Sequence, residues 1–422
     1  MQRTSFATAF GTNFSPLRIR NFRIYLSGQA VSLIGTWLQI TAQGIVVYKL
    51  SGGSATALGV VGMLNTLPLL LFGPLAGVWA DRLDRRWLLI VSQTGAMCLA
   101  FVLAALLQSG LAQLWHVYVL AFCLGTITSI DFPAQQAFLG DLAGMAEVRR
   151  AVNLNAMILQ VSRMLGPAFA GTLVAWLGAA PAFWLNGLSF AAVIGSLLLV
   201  RTQQVRSQRG AGAAGGMGAA LGFIRSQPRI QDLLVFVMLL TFFGLAVLTI
   251  VPAVAHGVPQ VTGWLLAASG FGALLSTIVL VPLSQAARYT GCVVAGAVLW
   301  MGTWFTVLSF VQWLPLQLLS MFGISLGAPV VMTMALGLMQ VLAPPGMRAR
   351  LLSIFTMLSF GMQPFAALLI GYNADALGTA LAIRINGLVL ICGGLLMLAL
   401  RPDLRAWQLQ PASVQQPAAS NK

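Results

Sequence analysis

The chain has 422 residues, of which 59% are hydrophobic and 7% charged, with a mean hydropathy of +0.89. A soluble domain carries about a quarter of its residues as charges, so ions cannot cover the surface of this chain, and lipid must solvate most of it. Its formal net charge of +15 would suggest nucleic acid, but the basic residues sit in short loops between apolar runs rather than on one face, which excludes that reading.

The N-terminal arm is polar and basic up to Arg23, and the first apolar run is long enough to span a bilayer, so no cleavable signal peptide is read. Twelve apolar runs follow, at 25–48, 57–80, 87–107, 115–139, 154–177, 182–200, 233–255, 261–283, 291–311, 314–341, 351–371 and 380–400. A helix needs about 20 apolar residues to cross the hydrocarbon, and no segment alternates like a barrel strand. In the first run Gln29, Ser32, Thr36, Gln39 and Gln43 recur every three or four residues and so share one helical face. Amides facing lipid would lack partners, so the stripe faces a cavity or bonds a neighbouring helix. Asn65 in the second run and Gln363 in the eleventh are further cavity candidates.

Two ionisable residues lie at membrane depth, Asp131 in the fourth run and Arg163 in the fifth, and such residues are functional candidates by default. Measured from the cytoplasmic ends of their runs both sit about 12–15 Å deep, which predicts a buried ion pair. Either the pair only orders the two helices, or Asp131 takes a proton, frees Arg163 and couples that step to transport.

Residues 201–232 form the longest polar break, with a Gly- and Ala-rich stretch at 210–218. The break divides the chain into two sets of six spans, 1–200 and 233–400, with a tail at 401–422. The halves repeat: Gly171, Gly178, Asn186, Gly187 and Leu188 meet Gly371, Gly378, Asn386, Gly387 and Leu388 at an offset of 200. The lysines and arginines outside the apolar runs fall on one side of alternating spans, Lys49 and Arg384 (near the mouth of the last span) being the exceptions, which predicts cytoplasmic termini and a multi-pass protein of the bacterial inner membrane. Cys98, Cys123, Cys292 and Cys392 lie within apolar runs without metal or disulfide spacing, and His116 and His256 are too far apart in sequence to indicate a metal site. No phosphate-binding loop or hydrolase grouping is read, so no cofactor and no enzymatic activity are expected.

The sharpest motif joins the second and third runs: Gly77-Val78-Trp79-Ala80-Asp81-Arg82-Leu83-Asp84-Arg85-Arg86. It resembles the motif between the second and third helices of major facilitator superfamily transporters, usually Gly-x-x-x-Asp-Arg-x-Gly-Arg-Lys/Arg, with Asp84 where Gly is common. The resemblance implies a conformational latch at Gly77, Asp81, Arg82, Arg85 and Arg86, since an acid among cations can pair across two halves and release as they rock. Gly35-Thr36-Trp37-Leu38-Gln39, Asp131-Phe132-Pro133-Ala134-Gln135-Gln136 and Gly166-Pro167 with Gly171 are similar to the drug:proton antiporter branch that includes the enterobactin exporter, with Gln136 where that branch often has Arg.

The expected fold is all-α, with 12 transmembrane helices in two pseudo-symmetric six-helix bundles, and duplicated halves suit a rocking transporter with its site between them. The resemblance implies proton-driven export of a hydrophobic drug or siderophore-like metabolite by a monomer, with protons as coupling ion. A lysophospholipid flippase, an uptake carrier of the same fold and a non-transporting sensor or structural protein remain alternatives.

Overall fold

The computed structural model describes residues 14–200, 217–287, 289–344 and 347–406; within these the side chains of 74–78, 80–82, 145, 217, 219–221 and 349 are outside the described set. Twelve described helices are long and apolar enough to cross a membrane. They are α1 (Arg20–Leu50), α2 (Ala55–Arg82), α3 (Arg85–Gln108), α4 (Leu114–Gly144), α5 (Ala146–Leu177), α6 (Ala180–Leu199), α7 (Pro228–Val254), α8 (Pro259–Ala286), α9 (Thr290–Phe310), α10 (Leu314–Leu342), α11 (Arg350–Leu377) and α12 (Thr379–Leu400). The helices outrun the apolar runs. Hydropathy stops where polar residues begin, but backbone bonding continues: α4 and α5 extend through 140–153 and break at Gly144, where φ is 71°, a conformation glycine adopts without a Cβ penalty. Because successive spans alternate in direction, the start of α1 and the end of α12 lie at one end of the bundle, here the near end, and loops 51–54 and 109–113 lie at the far end.

Prolines account for the irregular spans. In α7, Pro252 removes a donor and crowds the carbonyl four residues back, and the preceding turn tightens to a 3-10 helix at Ala246–Ile250, itself preceded by a π-helical turn at Leu240–Gly244. In α8 a π-helical turn, Ser276–Leu280, precedes Pro282. In α11 Pro364 breaks the helix at Met362.

Lipid offers no hydrophobic drive between helices, so small residues and buried polar bonds hold them together. The repeated Asn-Gly-Leu triplet shows both devices. Asn186 of α6 donates to Gln39 Oε1 of α1 at 2.7 Å, and its counterpart Asn386 of α12 donates to the Phe243 carbonyl of α7 at 3.2 Å. Across the halves, α2 meets α11 and α5 meets α8 through glycine seams. A Cβ on Gly371 would lie 2.5 Å from the Ala55 carbonyl and 3.1 Å from Gly59 Cα; one on Gly263 would lie 2.5 Å from the Pro167 carbonyl and 2.8 Å from Gly171 Cα. Gly171 and Gly371 are the residues matched by the internal repeat, so the two seams are pseudo-symmetric.

A cap completes closure at the far end. Asp375 of α11 accepts from Ser54 Oγ at 2.6 Å and from the Ala55 and Thr56 backbone N–H groups at 2.7 and 2.9 Å. A carboxylate from one half thus satisfies the open N-terminus of a helix in the other.

Candidate functional site

A cavity of about 640 Å³ lies between the halves. All five stripe residues of α1 line it, as do Asn65 of α2, Asp131 of α4, Arg163 of α5 and Gln363 of α11. Gln29, Ser32, Gln39 and Gln43 are themselves buried. The two readings of the stripe hold together: Gln39 faces the cavity and accepts the Asn186 bond, while Gln29 donates to Gln135 Oε1 at 3.3 Å.

Asp131 is 8% exposed and sits among neutral donors. Ser92 Oγ donates to its Oδ1 at 2.5 Å, Gln93 Nε2 to both oxygens at 3.1 Å, and Gln135, one turn along α4, to Oδ2. Ser92 and Gln93 come from α3, where Ser92, Gln93 and Thr94 interrupt an apolar run; the rule that singles out polar groups at membrane depth would have found them.

Among the described residues no ion pair joins Asp131 to Arg163, so the expected pair is corrected. Asp131 stands 13 residues before Gly144 and Arg163 17 residues after Ala146, so Arg163 is about 6 Å farther from the near end. The apolar runs concealed this offset by ending unequally short of the true helix ends. Arg163 instead lies over the Trp37 ring of α1, its guanidinium carbon 5.5 Å from the centroid, a cation–π contact. It makes no hydrogen bond to another described residue.

Several other cavity atoms lack partners. Gln29 Oε1, Gln93 Oε1, Asn155 Oδ1 and Thr241 Oγ1 are buried without a hydrogen bond among the described residues, and all four side chains line the cavity. The wall is lopsided. The first six helices contribute both charges and most of the amides and hydroxyls, whereas α7 to α11 contribute chiefly Leu245, Ala246, Leu248, Pro252, Leu266 and Ala367, with Thr241, Thr249 and Gln363 as their polar groups.

Of the latch residues, Gly77, Asp81 and Arg82 lie outside the described residues as far as their side chains go. Arg85 Nη1 pairs with both oxygens of Asp141 of α4 at 2.8 and 2.9 Å. Arg86 donates to the Leu197 and Leu198 carbonyls at 2.7 and 2.9 Å, closing the last turn of α6. These partners lie in the N-terminal half. Asp84, which departs from the usual glycine, caps α3 by accepting from the Trp87 N–H at 3.1 Å. His116 Nδ1 accepts from the Gln113 N–H at 3.1 Å at the start of α4.

A family described as transmembrane secretion effector matches residues 11–420. The staphyloferrin A transporter of Staphylococcus aureus is 22% identical over 391 residues, covering 88% of this chain and 94% of its own. The multidrug efflux pump Tap of Mycolicibacterium fortuitum is 26% identical over 358 residues, covering 80% and 86%. A match at 26% identity to the uncharacterized MFS-type transporter YfiS of Bacillus subtilis spans 62% of that protein. Among solved structures, a bacterial homolog to the human lysosomal transporter Spinster, inward-facing and unoccupied, superposes with a TM-score of 0.69 at 13% identity over 92% of this chain and 99% of that one. The nucleoside transporter NupG gives 0.67 at 13% over 88% and 98%. At such identity these two show a shared fold. Twelve membrane-crossing helices, duplicated halves around a polar-striped cavity and a family match along nearly the whole chain lead to one conclusion: this protein belongs to the transmembrane secretion effector family of the major facilitator superfamily of membrane transporters.

Proposed function

We propose that the protein exports an amphipathic small molecule by alternating access, driven by protons that bind at Asp131. The observation that carries the reading is the carboxylate itself: it is the one acid among the described residues lining the cavity, and its partners are neutral donors rather than a cation. A carboxylate so held can take a proton without breaking an ion pair. The protonated acid becomes a donor, and Gln93 Oε1, on the amide that already bonds Asp131, is an acceptor without a donor, as is Gln29 Oε1 on the side chain joined to Gln135. Proton uptake would therefore rearrange the Ser92–Gln93–Gln135 cluster and, through Gln135 and Gln29, the junction of α4 with α1.

The moving bodies in this reading are 1–200 and 233–400, joined by 201–232, with the termini cytoplasmic by the placement of the arginines and one chain as the working unit. Export is favoured by the efflux pumps among the relatives. The latch assigned to Gly77, Asp81, Arg82, Arg85 and Arg86 remains part of the proposal.

The test is accumulation of fluorescent drugs and siderophores in cells with and without the protein and with and without an uncoupler, followed by flux in proteoliposomes. Lower accumulation that the uncoupler reverses is expected. Asp131→Asn should abolish proton-linked flux while leaving expression and membrane insertion unchanged. Wild-type proton-linked flux in that variant would refute the coupling role.

A further inference from the structure

We propose that Arg163, backed by Trp37, forms an anion subsite in the cavity, and that the molecules this protein handles carry a carboxylate or comparable anionic head on an apolar body. The inference rests on the transport reading and adds the chemical class of the cargo.

Arg163 is placed to meet a ligand. Asn155, Leu159, Arg163 and Pro167 recur every four residues on α5 and all line the cavity. The backbone at Arg163 also begins the α5–α8 seam, for a Cβ on Gly270 would lie 2.6 Å from the Arg163 carbonyl. The guanidinium therefore stands where the cavity meets the junction between the halves.

A cation at this depth is costly unless an anion or polar groups compensate it. No described residue does so. The described acid in the cavity, Asp131, already accepts from Ser92, Gln93 and Gln135. Trp37 contacts the guanidinium through its ring, which steadies the plane but accepts no N–H group. The planar donors of arginine remain available, in the geometry that holds a carboxylate bidentately. The same cavity is lined by Leu33, Ile40, Leu266 and Pro167 among other apolar side chains, which suit a hydrophobic body attached to the anion.

The test uses purified full-length protein in neutral detergent and a matched pair of probes, 1-pyrenebutyrate and its methyl ester, with binding read as energy transfer from tryptophan to pyrene. The acid should bind at least about tenfold more tightly than the ester. Arg163→Gln should bring the acid to the affinity of the ester and leave the ester unchanged. Arg163→Lys should keep part of the preference, because it keeps the charge and loses the fork. Equal affinities for acid and ester in the wild type, no binding of the acid, or a preference that survives Arg163→Gln would each overturn the subsite. Those results would leave proton-linked flux, measured separately, as the judge of the transport reading. Repeating the titration in phosphatidylglycerol and phosphatidylcholine nanodiscs separates the sources of the anion. Undiminished acid binding in phosphatidylglycerol supports a soluble cargo, and loss of binding there overturns that assignment in favour of a lipid headgroup.

Discussion

Replacing Asp375 with alanine removes a carboxylate that crosses from α11 to the N-terminus of α2, where it accepts three hydrogen bonds. The loss resembles that of an N-cap, about 1 kcal/mol within a range of about 0.5–2. Asp375 is exposed at the far end, so solvent screens its charge and a larger figure is not warranted. If the far end opens during transport, the bond exists only in the closed arrangement, and the whole loss falls on that state. A change of about 1 kcal/mol moves the closed-to-open ratio about fivefold. Spin labels at Leu111 and Trp313, exposed in far-end loops of opposite halves, should show a longer-distance population in Asp375→Ala that is smaller or absent in the parent. Superimposable distance distributions in the two proteins would refute the idea that this cap holds the far end shut.

Gly371→Leu should act more strongly in the same direction, since its Cβ would lie 2.5 Å from the Ala55 carbonyl and backbone cannot yield as a side chain can; the same labels should report an end that fails to close. Asn186→Ala should cost about 0.6–1.7 kcal/mol by stranding Gln39, seen as a lower melting temperature in detergent, with a smaller drop for Asn386→Ala, whose bond is longer at 3.2 Å. Asp131→Asn and Arg163→Gln should be additive in stability to within about 0.5 kcal/mol, because the two side chains do not pair; a coupling well above that in a double-mutant cycle would restore the ion pair. Asp84→Ala should cost about 1 kcal/mol through loss of the α3 cap, measurable by thermal unfolding.

The fold was legible because lipid imposes simple rules. Every span must be long, apolar and helical, and each of the twelve runs in the sequence contains most of one helix of the structure. For the face of α1 the sequence offers a similar argument: an amide pointing into lipid has no partner, so the Gln and Ser positions are expected against a cavity or a neighbouring helix, and the structure lines the cavity with them. The partner of Asp131 was not legible. The ends of the apolar runs are a false gauge of depth, because α4 and α5 continue as helices well beyond them. Nor could a linear pattern reveal that Ser92 and Gln93 of α3 approach Asp131, or that Asp375, near the end of α11, reaches α2 more than three hundred residues earlier; such meetings are set by how helices stack. Asp84 shows the reverse case. Its departure from the familiar glycine reads as an anomaly in the motif, and the structure makes it a helix cap.

The lopsided cavity wall bears on how a duplicated protein diversifies. Both charges and most amides stand on the first six helices, while the opposite wall, built on the proline-broken α7 and on α8, is largely apolar. In the proposed reading the two halves divide the work, the first supplying the groups that would meet the cargo's polar chemistry and the second an apolar countersurface. Changes of cargo range should accordingly accumulate in the first copy, and the second should tolerate exchange of one apolar side chain for another. A hybrid that exchanges whole halves between relatives should inherit its cargo preference from the N-terminal donor.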